Sequence, residues 1–183
     1  HLAPFNDRLA AKLSGGMKQK LALCCALIHK PTILFLDEPT TGVDPISRKE
    51  FWEILKRLKH KGMTIVVSTP YMDEANLCDR IALMQNGNIL SIDTPANIIN
   101  QFNHKIFKIK SSNNYLLLNI LKENENTFSV NPFGEYIHYI DKRIDICKDE
   151  LLKYFTFQNV SIINIEIIPP SIEDCFINLM KNE

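Results

Sequence analysis

The chain has 183 residues, of which 45% are hydrophobic and 23% are charged, a composition that is ordinary for a globular protein. Lysine and arginine together number 21, as do aspartate and glutamate, so the chain lacks the basic excess typical of nucleic-acid-binding proteins. No apolar run approaches the roughly 20 residues of a membrane span. The five cysteines form neither a C-x-x-C pair nor a zinc spacing with histidine, which favours free thiols in a reducing compartment.

The first hundred residues alternate helical and strand patterns. Ser14 is a residue type that caps helices, and apolar residues at helical spacing follow it. The run Ile33–Leu36 contains no polar residue, which predicts a strand covered on both faces. Asp44 and Pro45 predict a second helix, with a capping carboxylate before proline at the first helical position. Thr64–Ser68 then predicts a second buried strand.

The segment 80–90 holds two apolar runs around Asn86 and Gly87, and this dipeptide is the strongest short signal for a β-hairpin. The alternation of strands and helices before it predicts a mostly parallel α/β layer. The sequence thus predicts a first domain over residues 1–102.

The amino-acid composition changes near residue 103, where asparagine and isoleucine become frequent. The element order predicted from there is β-α-β-β-α-β, which is typical of a ferredoxin-like fold. Ser171 predicts the cap of a last amphipathic helix. We therefore expect a second, small α+β domain over residues 103–183, with an accessory or regulatory role. Its predicted elements are strand 105–110, helix 114–122, two strands within 128–141, helix 148–155 and strand 160–168.

Four strings in the first domain carry the chemistry: LSGGMKQK at 13–20, ILFLDEP at 33–39, TTGVD at 40–44 and VVSTPYMDEA at 66–75. Together, and at these separations, they resemble the ATP-binding cassette of ABC transporters over residues 1 to about 100. Within that family the chain resembles the ATPases of bacterial multidrug or ABC-2-type exporters, and PSIEDCFINL at 170–179 is similar to the end of their accessory domain. The resemblance implies a partial P-loop NTPase fold, namely a parallel sheet with helices followed by a ferredoxin-like domain.

The glycine-rich string suits anion binding. Glycines let backbone N–H groups approach an anion, and the helix N-terminus behind them adds roughly half a positive charge. By resemblance, Ser14, Gly15 and Gly16 would contact the γ-phosphate of ATP held by an opposite cassette, and Gln19 belongs to the same nucleotide-binding string. From the residues alone, a simple capped helix is the alternative.

Two carboxylates follow the first predicted strand, at the edge where ligands bind in open α/β folds. By resemblance, Asp37 would order Mg²⁺ through water, and Glu38 would be the general base that polarises the attacking water. A solvated charge at a strand end is the alternative for Glu38. Asp44 would lie on the seam between two cassettes while also capping its helix.

The sequence departs from the family pattern in two respects. The phosphate loop G-x-x-x-x-G-K-[ST] is missing, and no Gly-Lys dipeptide occurs in the sequence. Because that loop and the glutamine loop precede LSGG in the family, we expect the sequence to be the C-terminal part of a longer ATPase, inactive on its own. The family's switch histidine is replaced by Pro70, which has neither a side-chain donor nor a backbone N–H. The switch position is therefore degenerate.

The resemblance implies a subunit that binds and hydrolyses ATP with Mg²⁺ to power a bacterial exporter, peripheral to the cytoplasmic face of the plasma membrane. The implied partners are a second ABC ATPase domain, identical, separate or fused, and a transmembrane permease, with no nucleic acid. Pro70 leaves open an alternative, a regulatory cassette that binds ATP and completes the catalytic site of its partner. A cassette protein of translation or DNA repair is disfavoured, because the chain carries neither basic linkers nor coiled-coil insertions.

Overall fold

The computed structural model describes residues 3–5 and 7–181. The chain forms two compact units, His1–Met72 and Asp73–Glu183. Among the described residues, no helix combines the length and the apolar character needed to cross a bilayer.

The first compact unit is a β-α-β arrangement with a helix before it. Its elements are two short 3-10 helices, Ala3–Phe5 and Ala10–Lys12, then α1 (Gly15–Leu27), β1 (Ile33–Asp37), α2 (Pro45–His60) and β2 (Thr64–Ser68). Strand β1 pairs in parallel with β2, in a register that sets Ile33 opposite Thr64 and Asp37 opposite Ser68. A parallel pair requires a crossover connection, and α2 provides it.

The core of this unit lies on one face of the two strands. Leu34 of β1 is buried together with Leu23 of α1 and with Phe51 and Leu55 of α2. On the opposite face, Phe35 is 73% exposed. The expectation that both faces of β1 are covered is therefore wrong for the described residues, since only the side of Leu34 is packed against helices.

The N-terminal part of the second unit is a β-hairpin with a short helix on each side in the sequence. The single-turn helix α3 (Met72–Ala75) precedes β3 (Ile81–Gln85) and β4 (Asn88–Asp93), which pair antiparallel, and α4 (Pro95–Asn100) follows. The turn residues Asn86 and Gly87 have φ of 50° and 82°, as a two-residue hairpin turn with two positive φ values requires. The hairpin predicted from the Asn-Gly dipeptide is confirmed.

A four-stranded antiparallel sheet with two helices forms most of the second unit. The elements are β5 (Ile106–Ser111), α5 (Asn114–Glu123), β6 (Thr127–Phe133), β7 (Tyr136–Asp141), α6 (Lys148–Phe157), β8 (Ile162–Ile168) and α7 (Ile172–Lys181). The strand order is β6-β7-β5-β8. Apolar side chains of the sheet and of α5 and α6, among them Phe107, Leu117, Tyr139 and Phe155, form one buried cluster. The predicted fold class, a parallel α/β layer followed by an α+β unit of β-α-β-β-α-β order, is confirmed, whereas the boundary after residue 102 stays a prediction.

Helix α7 is anchored by a buried carboxylate. Asp174 accepts hydrogen bonds from the backbone N–H and the hydroxyl of Ser171, at 2.9 and 2.6 Å, and its Oδ1 lies 2.8 Å from Nδ1 of His138 on β7. The Ser171 hydroxyl in turn accepts the Asp174 N–H at 3.1 Å, which confirms the predicted cap. One turn of α7 is thereby joined to the central part of the sheet.

Candidate functional site

The carboxyl ends of β1 and β2 bring Asp37 and Ser68 together. The two residues are register partners in the parallel pair, and the Ser68 hydroxyl donates a hydrogen bond to Oδ1 of Asp37. The backbone N–H of Glu38 donates to the same serine. The carbonyl oxygen of Ser68 accepts at 3.0 Å and the hydroxyl oxygen of Ser68 accepts at 3.1 Å. A single residue of β2 thus contacts both residues that carry the carboxylates.

Glu38 is held in an unusual backbone conformation. Its φ is 41°, in the left-handed region that costs a non-glycine residue on the order of 1–2 kcal/mol. The Thr41 hydroxyl donates to Oε2 of Glu38 at 3.1 Å, and the Thr41 N–H donates to the Glu38 carbonyl at 3.2 Å. Strained residues that are fixed by their surroundings are concentrated at functional sites. Here the strain turns the chain sharply after β1 and presents the Glu38 carboxylate to solvent at the sheet edge.

The exposed Asp37 carboxylate at this edge suits a magnesium ion bound through water. Mg²⁺ keeps several waters and is usually held by one or two carboxylates together with substrate phosphates. Within the described part of the chain, no group of three or more His, Cys, Asp or Glu side chains could hold a metal ion. A site completed by water and phosphate, rather than a cage made only of protein ligands, fits this donor set.

The N-terminus of α1 is a capped, solvent-facing helix end. The Ser14 hydroxyl accepts the N–H of Met17 at 3.4 Å, as the sequence predicts, and Ser14 and Gly15 are exposed. Gln19 lies one turn further along α1 and is half-buried. The exposed backbone of Ser14 and Gly15, at the positive end of a helix of 13 residues, is suited to meet an anion.

The two glycines also allow close packing of α1, a requirement that the sequence pattern does not reveal. A Cβ added to Gly16 would lie 2.5 Å from Cβ and 2.6 Å from Oγ of Ser47 on α2, and one added to Gly15 would lie 3.3 Å from the carbonyl oxygen of Gly42. Gly16 is therefore required by the approach of α1 to α2, whatever it does toward a ligand. Only the folded arrangement reveals this, because the residues in contact are about 30 positions apart.

Asp44 caps α2 on the same side of the unit. Its Oδ1 accepts the N–H of Ser47 at 2.9 Å. Hydrogen bonding from Ser47 holds the pKa of the exposed Asp44 carboxyl below its ordinary value, so the group carries its negative charge at neutral pH. The capping role predicted for Asp44 is confirmed, and the role on a seam between cassettes stays a prediction.

Pro70 follows β2 directly and is exposed. Around it, the Tyr71 N–H donates to the Thr69 hydroxyl at 3.1 Å, and the guanidinium of Arg48 lies 4.5 Å from the centroid of the Tyr71 ring. The chain therefore bends at Pro70 directly after β2, and Pro70 itself offers no hydrogen-bond donor. The sheet edge thus brings together Asp37, Glu38, Thr41 and Ser68, while Ser14, Gly15, Gly16 and Asp44 lie about the adjacent N-termini of α1 and α2.

Comparison with known proteins agrees with these features. The family model described as "ABC transporter" matches residues 1–41. The probable multidrug ABC transporter ATP-binding protein YbhF of Escherichia coli is 38% identical over 98% of this chain and 31% of its own length. The linearmycin resistance ATP-binding protein LnrL of Bacillus subtilis is 31% identical over 91% of this chain and 55% of its own. The Nod factor export ATP-binding protein I of Sinorhizobium fredii is 33% identical over 97% of this chain and 50% of its own.

A solved ATP-binding cassette of an ABC transporter, MJ1267, aligns with 51% of this chain and 37% of its own, with 29% identity and a TM-score of 0.47. The chain spans between 31% and 55% of the length of the three relatives named above. The identity to those relatives nevertheless extends over almost the whole chain. All three relatives are named as ATP-binding proteins, and YbhF as that of an ABC transporter. Since the family model also matches the segment that holds LSGG and the two carboxylates, this chain belongs to the ABC transporter ATP-binding protein family.

Proposed function

We propose that this chain provides the catalytic carboxylates and the signature segment of an ATPase that powers an exporter. The observation that carries the proposal is the sheet edge, where Ser68 contacts Asp37 and the backbone of a strained Glu38. Three relatives named for multidrug transport, linearmycin resistance and Nod factor export match this chain over at least 91% of its length, which supports an export function.

Each group has a defined part in the proposed reaction. Glu38, fixed through its backbone by Ser68 and through its carboxylate by Thr41, accepts a proton from the water that attacks the γ-phosphate. Mg²⁺, when bound, neutralises charge on the triphosphate. Asp37 would hold that ion through water, and the Ser68 hydroxyl fixes the carboxylate that does so. Catalysis of phosphoryl transfer depends almost entirely on such positioning and on electrostatics.

The proposed assembly requires partners. Ser14 and Gly15 are exposed at the helix end that would meet the γ-phosphate of ATP bound to a second cassette. Gly16, buried behind them, belongs to the same proposed contact, and Asp44 would lie at the interface between the two cassettes. A transmembrane permease would complete the exporter, with the cassettes on the cytoplasmic face of the plasma membrane. No nucleic acid takes part.

A second candidate function is favoured by Pro70, namely a regulatory cassette that binds ATP and completes the site of its partner. Losing one positioned donor to a transition state lowers the rate by about a hundredfold or more. That loss falls on the site formed by Asp37 and Glu38 of this chain. It leaves the contribution of Ser14, Gly15 and Gly16 to the opposite site intact, so we expect the complete transporter to be asymmetric, with a partner cassette that carries a histidine.

Variants of the full-length complex in membranes test both functions. Ser14→Arg should abolish ATP hydrolysis, because it places a bulky cation at the exposed helix end that serves the partner's site. Glu38→Gln should leave much of the hydrolysis, and Pro70→His should raise turnover at the site of this chain. Phosphate release measures all three. If Glu38→Gln is as damaging as Ser14→Arg, or if Pro70→His has no effect, the asymmetric function is wrong and two equivalent or tightly coupled sites are the better account.

A further inference from the structure

The two elements that would face a partner cassette are fixed to one another. Gly16 approaches Ser47 so closely that a Cβ would overlap its side chain, and Gly15 lies beside the carbonyl of Gly42. Ser47 is also the residue whose N–H the Asp44 carboxylate accepts. The N-terminus of α1 and the loop before α2 are thus in direct contact through backbone and short side chains, which leave little room for either to shift alone.

About one turn further along, an ion pair joins the same two helices. The ammonium of Lys20 on α1 donates to Oε2 of Glu50 on α2. The Lys20 side chain is 13% exposed and that of Glu50 is 56% exposed. Below the pair, Leu23 and Phe51 belong to the buried core between the helices. The contacts between α1 and α2 therefore run from their N-termini through a polar pair to the apolar core.

We propose that Lys20 and Glu50 form a positioning pair, which fixes the helix end at Ser14, Gly15 and Gly16 relative to the loop that ends at Asp44. This inference rests on the proposed function, in which both elements act in the site of the partner cassette. Neither Lys20 nor Glu50 would touch the nucleotide. Their contribution is to keep the rotation of α1 about its axis constant, so that the exposed N–H groups stay aimed at the same point.

The position of the pair explains why it would matter for rate more than for stability. The carboxylate of Glu50, at the exposed end of the pair, contributes little to folding, because solvent screens it. A helix end displaced by about 1 Å, in contrast, can cost a hundredfold in rate when it positions a reacting group. A variant that slows turnover without lowering the melting temperature would therefore show a positioning role rather than a general structural one.

Charge reversal in the full-length complex tests the inference. Lys20→Glu and Glu50→Lys should each lower kcat by about tenfold or more. The melting temperature should stay almost unchanged in Glu50→Lys, because Glu50 is 56% exposed, and should fall in Lys20→Glu, because Lys20 is largely buried. The double variant Lys20→Glu/Glu50→Lys should recover kcat to within about threefold of the unchanged complex, because the attraction is restored with reversed sign. Lys56→Glu and Glu53→Lys are matched controls, since both residues are exposed on α2 and should leave kcat unchanged.

The signature variant Ser14→Arg separates failure of this inference from failure of the proposed function. If Ser14→Arg leaves hydrolysis unchanged, the proposed function is wrong. If Ser14→Arg abolishes hydrolysis while either single reversal stays within about twofold, or while the double variant fails to recover, the positioning pair is wrong. A loss of kcat in Glu50→Lys that follows a lowered melting temperature of that variant would also overturn it.

Discussion

At the scale of single residues, Gly16 has a packing requirement that is independent of any ligand. A Cβ added to Gly16 would lie only 2.5 Å from the Cβ of Ser47 on α2, which is closer than two carbon atoms can approach without a shift. Gly15 is less tightly packed, since a Cβ added there would lie 3.3 Å from the carbonyl oxygen of Gly42. Two adjacent glycines in one string therefore differ in what prevents their replacement.

Gly16→Ala should destabilise the full-length protein by about 1–3 kcal/mol, the usual cost of overpacking, reduced by the better helix propensity of alanine. Gly15→Ala, the matched control, should cost clearly less. Adding Ser47→Gly to Gly16→Ala should recover stability, because the colliding side chain is gone. Urea unfolding measures all four proteins. Equal losses for the two alanine variants, or no recovery in the double variant, would show that the packing of Gly16 against Ser47 is not the cause.

The helix caps could be predicted from local sequence, whereas the backbone conformation of Glu38 and the contacts of Ser68 could not. Ser14 and Asp44 cap their helices as their residue types indicate, since a cap depends on atoms three residues away. The positive φ of Glu38 and the contacts of Ser68 with Asp37 and Glu38 arise from strand pairing between residues about 30 positions apart. No short pattern in the sequence encodes that proximity.

At the scale of elements, α7 depends on one charged anchor. Burial disfavours the charged form of Asp174, but hydrogen bonds from His138 and Ser171 outweigh it and hold the pKa of this carboxyl below its ordinary value. A carboxyl with a lowered pKa in the folded state stabilises the fold at pH values above its pKa in the unfolded chain, about 4. That contribution is lost as the pH falls through the lower value of the folded state.

Asp174→Asn should therefore lower the free energy of unfolding by about 1.5–3 kcal/mol at pH 6, the range for hydrogen bonds to a charged group. The difference from the unchanged protein should shrink as the pH falls below about 4. Glu173→Gln, at an exposed neighbouring position, should have little effect at any pH. Chemical denaturation between pH 3 and pH 7 gives the comparison. A penalty for Asp174→Asn that stays constant over this range would show that packing, not charge, anchors the helix.

The order of elements was predictable because each is encoded locally. The β-α-β-β-α-β order and the hairpin at Asn86 and Gly87 follow from turn residues and apolar periodicity. The exposed face of β1 was not predictable in the same way. Leu34 and Phe35 are both apolar, yet one is 5% and the other 73% exposed. An apolar run shows that a strand can be covered on both faces, but the neighbouring elements decide which faces are covered.

At the scale of the whole molecule, we expect the 183-residue chain by itself to show no ATP-dependent turnover. It contains Asp37, Glu38 and the helix end at Ser14, but its sequence has no Gly-Lys phosphate loop to hold the triphosphate. Steady-state phosphate release, measured with and without ATP and Mg²⁺, tests this expectation. Glu38→Gln is the control. Release above background that disappears in Glu38→Gln would prove the expectation wrong and would place a complete site within these residues.

The uncovered side of the strand pair β1 and β2 also has a consequence for handling the protein. Ile33, Phe35 and Val66, which the parallel register sets along one side, are all exposed. A contiguous apolar strip of this kind promotes association between molecules when nothing covers it. These three side chains would then promote association of the chain in solution, and the net charge of zero adds little electrostatic repulsion to oppose it. Loss of material on concentration is therefore expected from this strip of the surface even when both compact units are folded.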